Sequence, residues 1–424
     1  MTDGQRKPRV LYIVYWGAAE PLGQSLVLPA IKKLASFGAQ ISLVTFEKPD
    51  DLRSEVMDTI RASLIERGVR WIPLRYHKRP KVPATGFDFI HGVTRSIIAA
   101  LAERPDIIHA RTFIGGLIGR ALAPMVGARL IYHNEGFYPD EQVDAGVWKA
   151  GSTPHRIAKR LEVNLYSRAA AVIALSNRAK SVIEDIPAVR RNNTPVVKVP
   201  SCVDLNLFNT DGLFNSDLPK PAAEKDVLRF VHSGSIGGRY MFDQVARFVS
   251  LASKEMGKLH LRVLTPADPI MVSSILSASG LADRDWSIDR VAREAMPGEL
   301  RRQDVGLNFL QQGLSEHGCS PTKIGEYWAA GLPVICTPNV SDTDEVIKRE
   351  RVGVIVGEHS DEGYRRALEE LRELLLDPEL GRRCRKAAEN HYALGPACER
   401  QFALYQELGL RRFGAFRRTA SITR

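Results

Sequence analysis

The stretch "GCSPTKIGEYWAAGLPVICTP", residues 318–338, joins a helix to a strand and sets a question at their start. An apolar, small-residue helix opens on Ser320, Pro321, Thr322 and Lys323, carries Glu326 one turn in, and runs through Gly331 into "LPVICT". Thr322 is expected to be the N-cap, so free amides of the first turn face the preceding loop, with the Lys323 ammonium beside them. A diphosphate suits that mouth. Glu326 can be read as a helix-dipole partner, but a capping box from Thr322 would need its acid at Gly325. A carboxylate one turn inside a phosphate site is placed to accept two hydrogen bonds from a vicinal sugar diol.

The same alternation of short apolar run and helix extends in both directions. Upstream, "RVLYIVYW" at Arg9, "AQISLVTF" at Ala39, "VRWIPL" at Val69, "DIIHA" at Asp106, "ARLIYH" at Ala128 and "AAAVIAL" at Ala169 predict buried parallel strands. Amphipathic helices lie between them, among them "SLVLPAIKKLASF" from Ser25 and "TPHRIAKRLEVNLYS" from Thr153, in which Ile157, Leu161 and Leu165 form the apolar line. After "TDGLFNSDLPKPAAEKD", dense in Pro, Asp and Asn, strands resume at "VLRFVHS", "LHLRVL", "DVGLNFL", "LPVICT" and "RVGVIV". The expected architecture is α/β, two Rossmann-like doubly wound domains facing a central cleft. Its divisions are a first domain over 1–205, a linker over 206–226, a second domain over 227–390, and a C-terminal helix and basic tail over 391–424 that crosses back to the first domain.

Composition sets the outer bounds. A chain of 424 residues, 44% hydrophobic and 25% charged, is long enough for two cores at roughly 150 residues each. No apolar run approaches the roughly 20 residues of a membrane span, so a cytoplasmic protein is expected. Five scattered cysteines lack zinc spacing and read as reduced thiols. The net charge of +10 gathers in "RYHKRPK" from Arg75 and in the tail "LRRFGAFRRTASITR". In the tail, Arg411, Arg412, Arg417 and Arg418 beside Phe413 and Phe416 fit an anionic membrane surface or a solvated terminus. No nucleic-acid motif accompanies the charge, and no nucleic acid is expected as a partner.

In an open α/β sheet the chemistry belongs to the loops at the strands' carboxyl ends. "GAAEPLGQS" puts Gly23 before a helix without dinucleotide-fingerprint spacing. The long loop after "ARLIYH" begins with His133 and Glu135, and its Phe137, Tyr138 and Trp148 suit either stacking on a sugar or packing. In "HSGSIGGRY", Gly234, Ser235, Gly237 and Gly238 allow close approach of an anion, or simply a tight turn, and Arg239 adds a permanent charge. "DTD" at Asp342 invites a metal reading, but Asp342 with Glu345 is expected to form a capping box, so no metal site is assigned.

Together these segments resemble glycosyltransferase family 4, retaining enzymes of the GT-B fold, over nearly the whole chain. "EYWAAGLPVI" is similar to the second half of the family signature, with Glu326 in the place of its second glutamate. Gly318 stands in the place of the first, and Glu316 is two residues out of register. "SPTKIGEY" and "GSIGGRY" resemble a bacterial polysaccharide-type subgroup, with Ser235 where many members carry an arginine. The resemblance implies a nucleotide-diphosphate-sugar donor on the second domain, a glycan or lipid-linked acceptor on the first, and no cofactor. It implies His133 near the donor sugar, with Arg239 and Lys323 stabilising the departing diphosphate. Donor contacts are implied at Gly23, Gly234, Ser235, Gly237, Gly238, Ser320, Thr322 and Glu326, and acceptor contacts at Glu135 and Trp148. A place at the inner face of the cell membrane is part of the same expectation. A sugar-nucleotide epimerase, a non-catalytic sugar-nucleotide-binding subunit and a phosphate-rich polymer binder remain as alternatives.

Overall fold

The computed structural model describes residues 7–77, 79–209, 226–313 and 315–410; most of the expected linker and the basic tail lie outside them. The first sheet holds β1 (Arg9–Val14), β2 (Gln40–Glu47), β3 (Arg70–Arg75), β4 (Ile107–Arg111), β5 (Arg129–His133), β6 (Ala171–Ala174) and β7 (Val196–Lys198). All pairs are parallel, in the order β3-β2-β1-β4-β5-β6-β7. The second holds β8 (Leu228–Ser233), β9 (Leu259–Leu264), β10 (Trp286–Asp289), β11 (Val305–Asn308), β12 (Val334–Cys336) and β13 (Gly353–Ile355), parallel in the order β10-β9-β8-β11-β12-β13. Each order reverses beside its first strand, which opens a crevice at β1/β4 and at β8/β11 where ligands of such sheets bind.

Strands covered on both faces need apolar centres, and these have them: Tyr12, Ile13, Ile108, Ile131, Val172, Phe230, Leu261, Leu307 and Ile335 are buried. β7 and β10 were not expected from the sequence. Nor does helix Thr153–Arg168 bury its anticipated line. Ile157 and Leu161 are exposed, while Ala158, Glu162, Leu165 and Tyr166 face inward, with Lys159 bonded to the Glu162 carboxylate at 2.6 Å.

Helix Leu394–Leu410 follows the second domain but packs on the first. Its Phe402 ring lies 5.7 Å from Phe37, and Tyr405 is fully buried among first-domain residues. The carboxyl ends of both sheets therefore face one cleft, and the domains touch across it. Asp144 accepts from the Ser315 amide at 2.9 Å and its hydroxyl at 2.6 Å, and the Ser176 hydroxyl donates to the His317 carbonyl at 2.9 Å.

Candidate functional site

The helix that opens the sequence argument spans Thr322–Ala329. Its N-cap is Pro321, not Thr322; Thr322 is the first helical residue, because the preceding proline already supplies the extended backbone that a cap requires. Lys323 points into the loop after β8 and is buried. A Cβ on Gly234 would sit 3.5 Å from the Lys323 Nζ, so the loop packs directly against the ammonium, and the φ of 99° at this position favours glycine. The ammonium nitrogen has no hydrogen-bond partner among the described residues and lies 3.9 Å from the centre of the Tyr240 ring. Burial pushes its pKa down from 10.5 to about 7, against the pull of Glu326. The sequence places this ammonium at the helix mouth but gives no sign of its burial, which comes from the Tyr240 ring packed over it.

Arg239, from the same loop, reaches across the cleft to Glu141 at 3.4 Å. Burial raises the pKa of Glu141, and Arg239 opposes the shift. Gly237 and Gly238 adopt φ values of 87° and 62° with open space beside them, while Ser235 is exposed. Glu326 is paired with Arg293, a partner that nothing in the signature segment announces. Ser320 accepts from the Ser201 amide at 3.3 Å, tying the helix mouth to the chain leaving β7.

On the first domain, His133 ends β5 opposite Arg111 at the end of β4. Glu135 is ion-paired with Arg111 and stands 3.4 Å from His133 Nε2. Both His133 and its neighbour His109 are buried, and burial with Arg111 alongside holds each pKa well below the ordinary histidine value. His109 and Arg111 were missed. Their signal was a polar pair closing an otherwise apolar strand, "IIHAR".

Two further expected residues have local structural reasons. Any side chain at Gly23 would fall 2.1 Å from the Gly17 carbonyl, so that glycine closes the turn after β1. Trp148 packs edge-on to Tyr138, which stacks on Phe113 at 4.8 Å. Asp342 makes no capping box; its carboxylate accepts from the Asn177 amide at 2.9 Å and from Lys198 at 2.6 Å in the other domain. The start of helix Asn177–Glu184 competes successfully for that acid.

Residues 25–199 match the family model described as a glycosyl transferase 4-like domain. No curated protein matches the chain in sequence. Among solved structures, a sucrose-phosphate synthase from Thermosynechococcus elongatus superposes with a TM-score of 0.68 at 15% identity, covering 95% of this chain and 99% of that one. The Anabaena protein HepE in complex with UDP-glucose gives 0.64 at 12% identity, with 94% and 99% covered. A putative UDP-N-acetylglucosamine 2-epimerase from Listeria monocytogenes gives 0.55 at 14%, with 99% and 100% covered. These likenesses show the fold: two facing α/β domains of the GT-B type.

Proposed function

We propose that this chain is a retaining glycosyltransferase that moves a sugar from a nucleotide-diphosphate donor to a glycan or lipid-linked acceptor in bacterial surface-polysaccharide synthesis. The observation that carries the reading is Lys323: a buried ammonium without a hydrogen-bonding partner among the described residues, at a helix mouth, facing a glycine loop. Such a charge is costly to keep in an empty cleft and becomes favourable when a diphosphate is placed against it. Arg239 supplies a second cation, and the transferred sugar would lie between Glu326 and His133. Fixed charges then stabilise the departing diphosphate without a metal ion, and the acceptor hydroxyl arrives on the same face. Support from the comparisons is the transferase-type match over the first domain and the HepE complex with UDP-glucose.

Attachment to an anionic membrane surface fits helix Lys81–Glu103 in the described part of the chain. Phe87, Ile90, Ile98 and Leu101 are 55–69% exposed along one face that also carries Arg95, while its Asp88 is buried. The epimerase reading draws on the Listeria likeness. A nucleotide-sugar panel tests both. A donor at a hundred times its dissociation constant should stabilise the fold by about 2.7 kcal/mol, and a transferase should leave that donor's sugar unchanged until an acceptor is added. Conversion of the sugar without acceptor would select the epimerase.

A further inference from the structure

A chain of buried groups runs from the last described helix to the candidate site. Gln401 Nε2 donates to the Tyr405 hydroxyl at 2.8 Å; that hydroxyl lies 2.8 Å from His109 Nδ1; and His109 Nε2 lies 3.1 Å from His133 Nδ1. Every member is buried, with Gln401 2% and His133 3% exposed. The Tyr12 ring stacks on His109 at 4.2 Å and prevents the imidazole from turning away.

The direction of the protons along this chain follows from what each group can do. An amide nitrogen only donates, so the Tyr405 oxygen accepts from Gln401 and its own hydrogen goes to His109 Nδ1. His109, neutral, then carries its hydrogen on Nε2 and donates to His133 Nδ1. His133, also neutral, is left with its hydrogen on Nε2. The reverse order would make Tyr405 accept from both sides and leave its buried hydrogen without an acceptor, an arrangement that buried polar groups avoid. We infer that Gln401 and Tyr405 of the C-terminal helix fix the proton of His133 on Nε2, so that this histidine meets the bound sugar as a hydrogen-bond donor to a hydroxyl oxygen.

That Nε2 makes no hydrogen bond among the described residues; the Glu135 oxygen that Arg111 also holds stands 3.4 Å away, on the same side, and orients the Nε2 hydrogen without closing a bond to it. A buried donor left open at the end of an otherwise paired chain points to a ligand atom. The inference rests on the transferase reading only for what that atom is. Gln401 and Tyr405 are positioning residues, and they reach the site only because a helix that follows the second domain is seated on the first.

The test reads the tautomer directly. Protein labelled with 15N-histidine, without ligand and near pH 7.5, should give the Nε2–H pattern for both His109 and His133 in long-range proton–nitrogen spectra, with assignment by His109→Gln and His133→Gln. Tyr405→Phe, which keeps the ring, should leave His109 and His133 as mixtures of tautomers and raise the donor KM several-fold more than it lowers kcat. An Nδ1–H pattern for His133 in the unaltered protein overturns the inference, and this arm survives even if the variant does not fold. An unchanged tautomer in folded Tyr405→Phe overturns it as well. Because the spectra need no donor, that failure leaves the transferase reading standing; absence of all nucleotide-sugar binding in the unaltered protein removes the transferase reading and the ligand half of this one.

Discussion

Gly318 lies against Gly136 across the cleft so closely that a Cβ on Gly318 would fall 3.1 Å from the Gly136 Cα and 2.9 Å from the Phe137 ring. The position at which the resembled family carries its first signature glutamate therefore has no room for a side chain here. Glu316 does not replace it, since its Oε2 accepts from the Gly313 amide at 3.1 Å within its own loop.

Restoring the family acid should consequently harm the protein. Gly318→Glu is expected to hold the domains apart and slow turnover on the order of a hundredfold, as misplacement by an ångström can. The thermal midpoint should move little, because the change sits at an interdomain surface. Turnover assays with small-angle scattering check this; faster turnover in the variant would show that the cleft accommodates the acid.

Lys323 should make the protein's behaviour depend on pH with a definite sign. Its folded pKa of about 7 lies below the ordinary 10.5, so the unfolded chain binds more protons between those values. Its contribution to stability should rise as pH climbs from about 7 to about 10, and Lys323→Met should remove that part of the slope. A diphosphate beside the amine favours the charged form, so nucleotide binding at pH 8 should take up a proton. Calorimetry in buffers of different ionisation enthalpy measures the uptake. No uptake at pH 8 would mean that the nucleotide does not reach this lysine.

Glu326→Gln removes the acceptor that the sequence places at the donor sugar. It also breaks the pairing with Arg293, which is 15% exposed. Breaking one partner of a buried pair typically costs about 3–5 kcal/mol. The variant should therefore melt earlier as well as bind more weakly, while Arg293→Leu combined with Glu326→Leu should recover stability without recovering donor binding. Recovery of both in the double variant would mean that Glu326 does not touch the donor.

What was legible in the sequence and what was not divide along a physical line. Long β-branched runs such as "QISLVTF" declare themselves because both faces are covered, whereas β7, only three residues long, and β10 at the sheet edge carry too little pattern. At the site, glycines, Lys323 and Glu326 stood out because helix mouths and turns are local chemistry. Asp342 with Lys198 and Tyr405 with His109 are separated by 144 and 296 residues, and no local period reports such meetings. Ile157 and Leu161 misled for a related reason: the buried Glu162 beside them is stabilised by Lys159, which apolar periodicity does not count.

Helix Lys81–Glu103 should govern membrane attachment. With Phe87, Ile90, Ile98 and Leu101 all exposed, burying them in the interfacial region is favourable, and Arg95 adds about 1 kcal/mol near anionic lipid. Phe87→Ser with Ile90→Ser should reduce co-flotation with acidic vesicles at least tenfold and leave circular dichroism unchanged. Equal flotation would place the contact elsewhere.

Chelation distinguishes the two readings of "DTD". The Asp342 carboxylate accepts from the Asn177 amide at 3.0 and 2.9 Å, the Arg178 amide at 3.3 Å and the Lys198 ammonium at 2.6 Å, so its charge serves to join the domains. One Asp344 oxygen accepts from the Asn339 amide at 2.9 Å and faces Arg178 at 3.5 Å. A carboxylate at a helix start contributes roughly 0.3–2 kcal/mol, and here that energy favours closure. Asp342→Asn should lose turnover several-fold through a weaker closed state, and neither EDTA nor manganese should alter the loss. The unaltered protein should turn over in excess EDTA. If chelation abolishes activity and manganese restores it, Asp342 and Asp344 are ligands, and the fixed cations Lys323 and Arg239 are insufficient to carry the departing diphosphate.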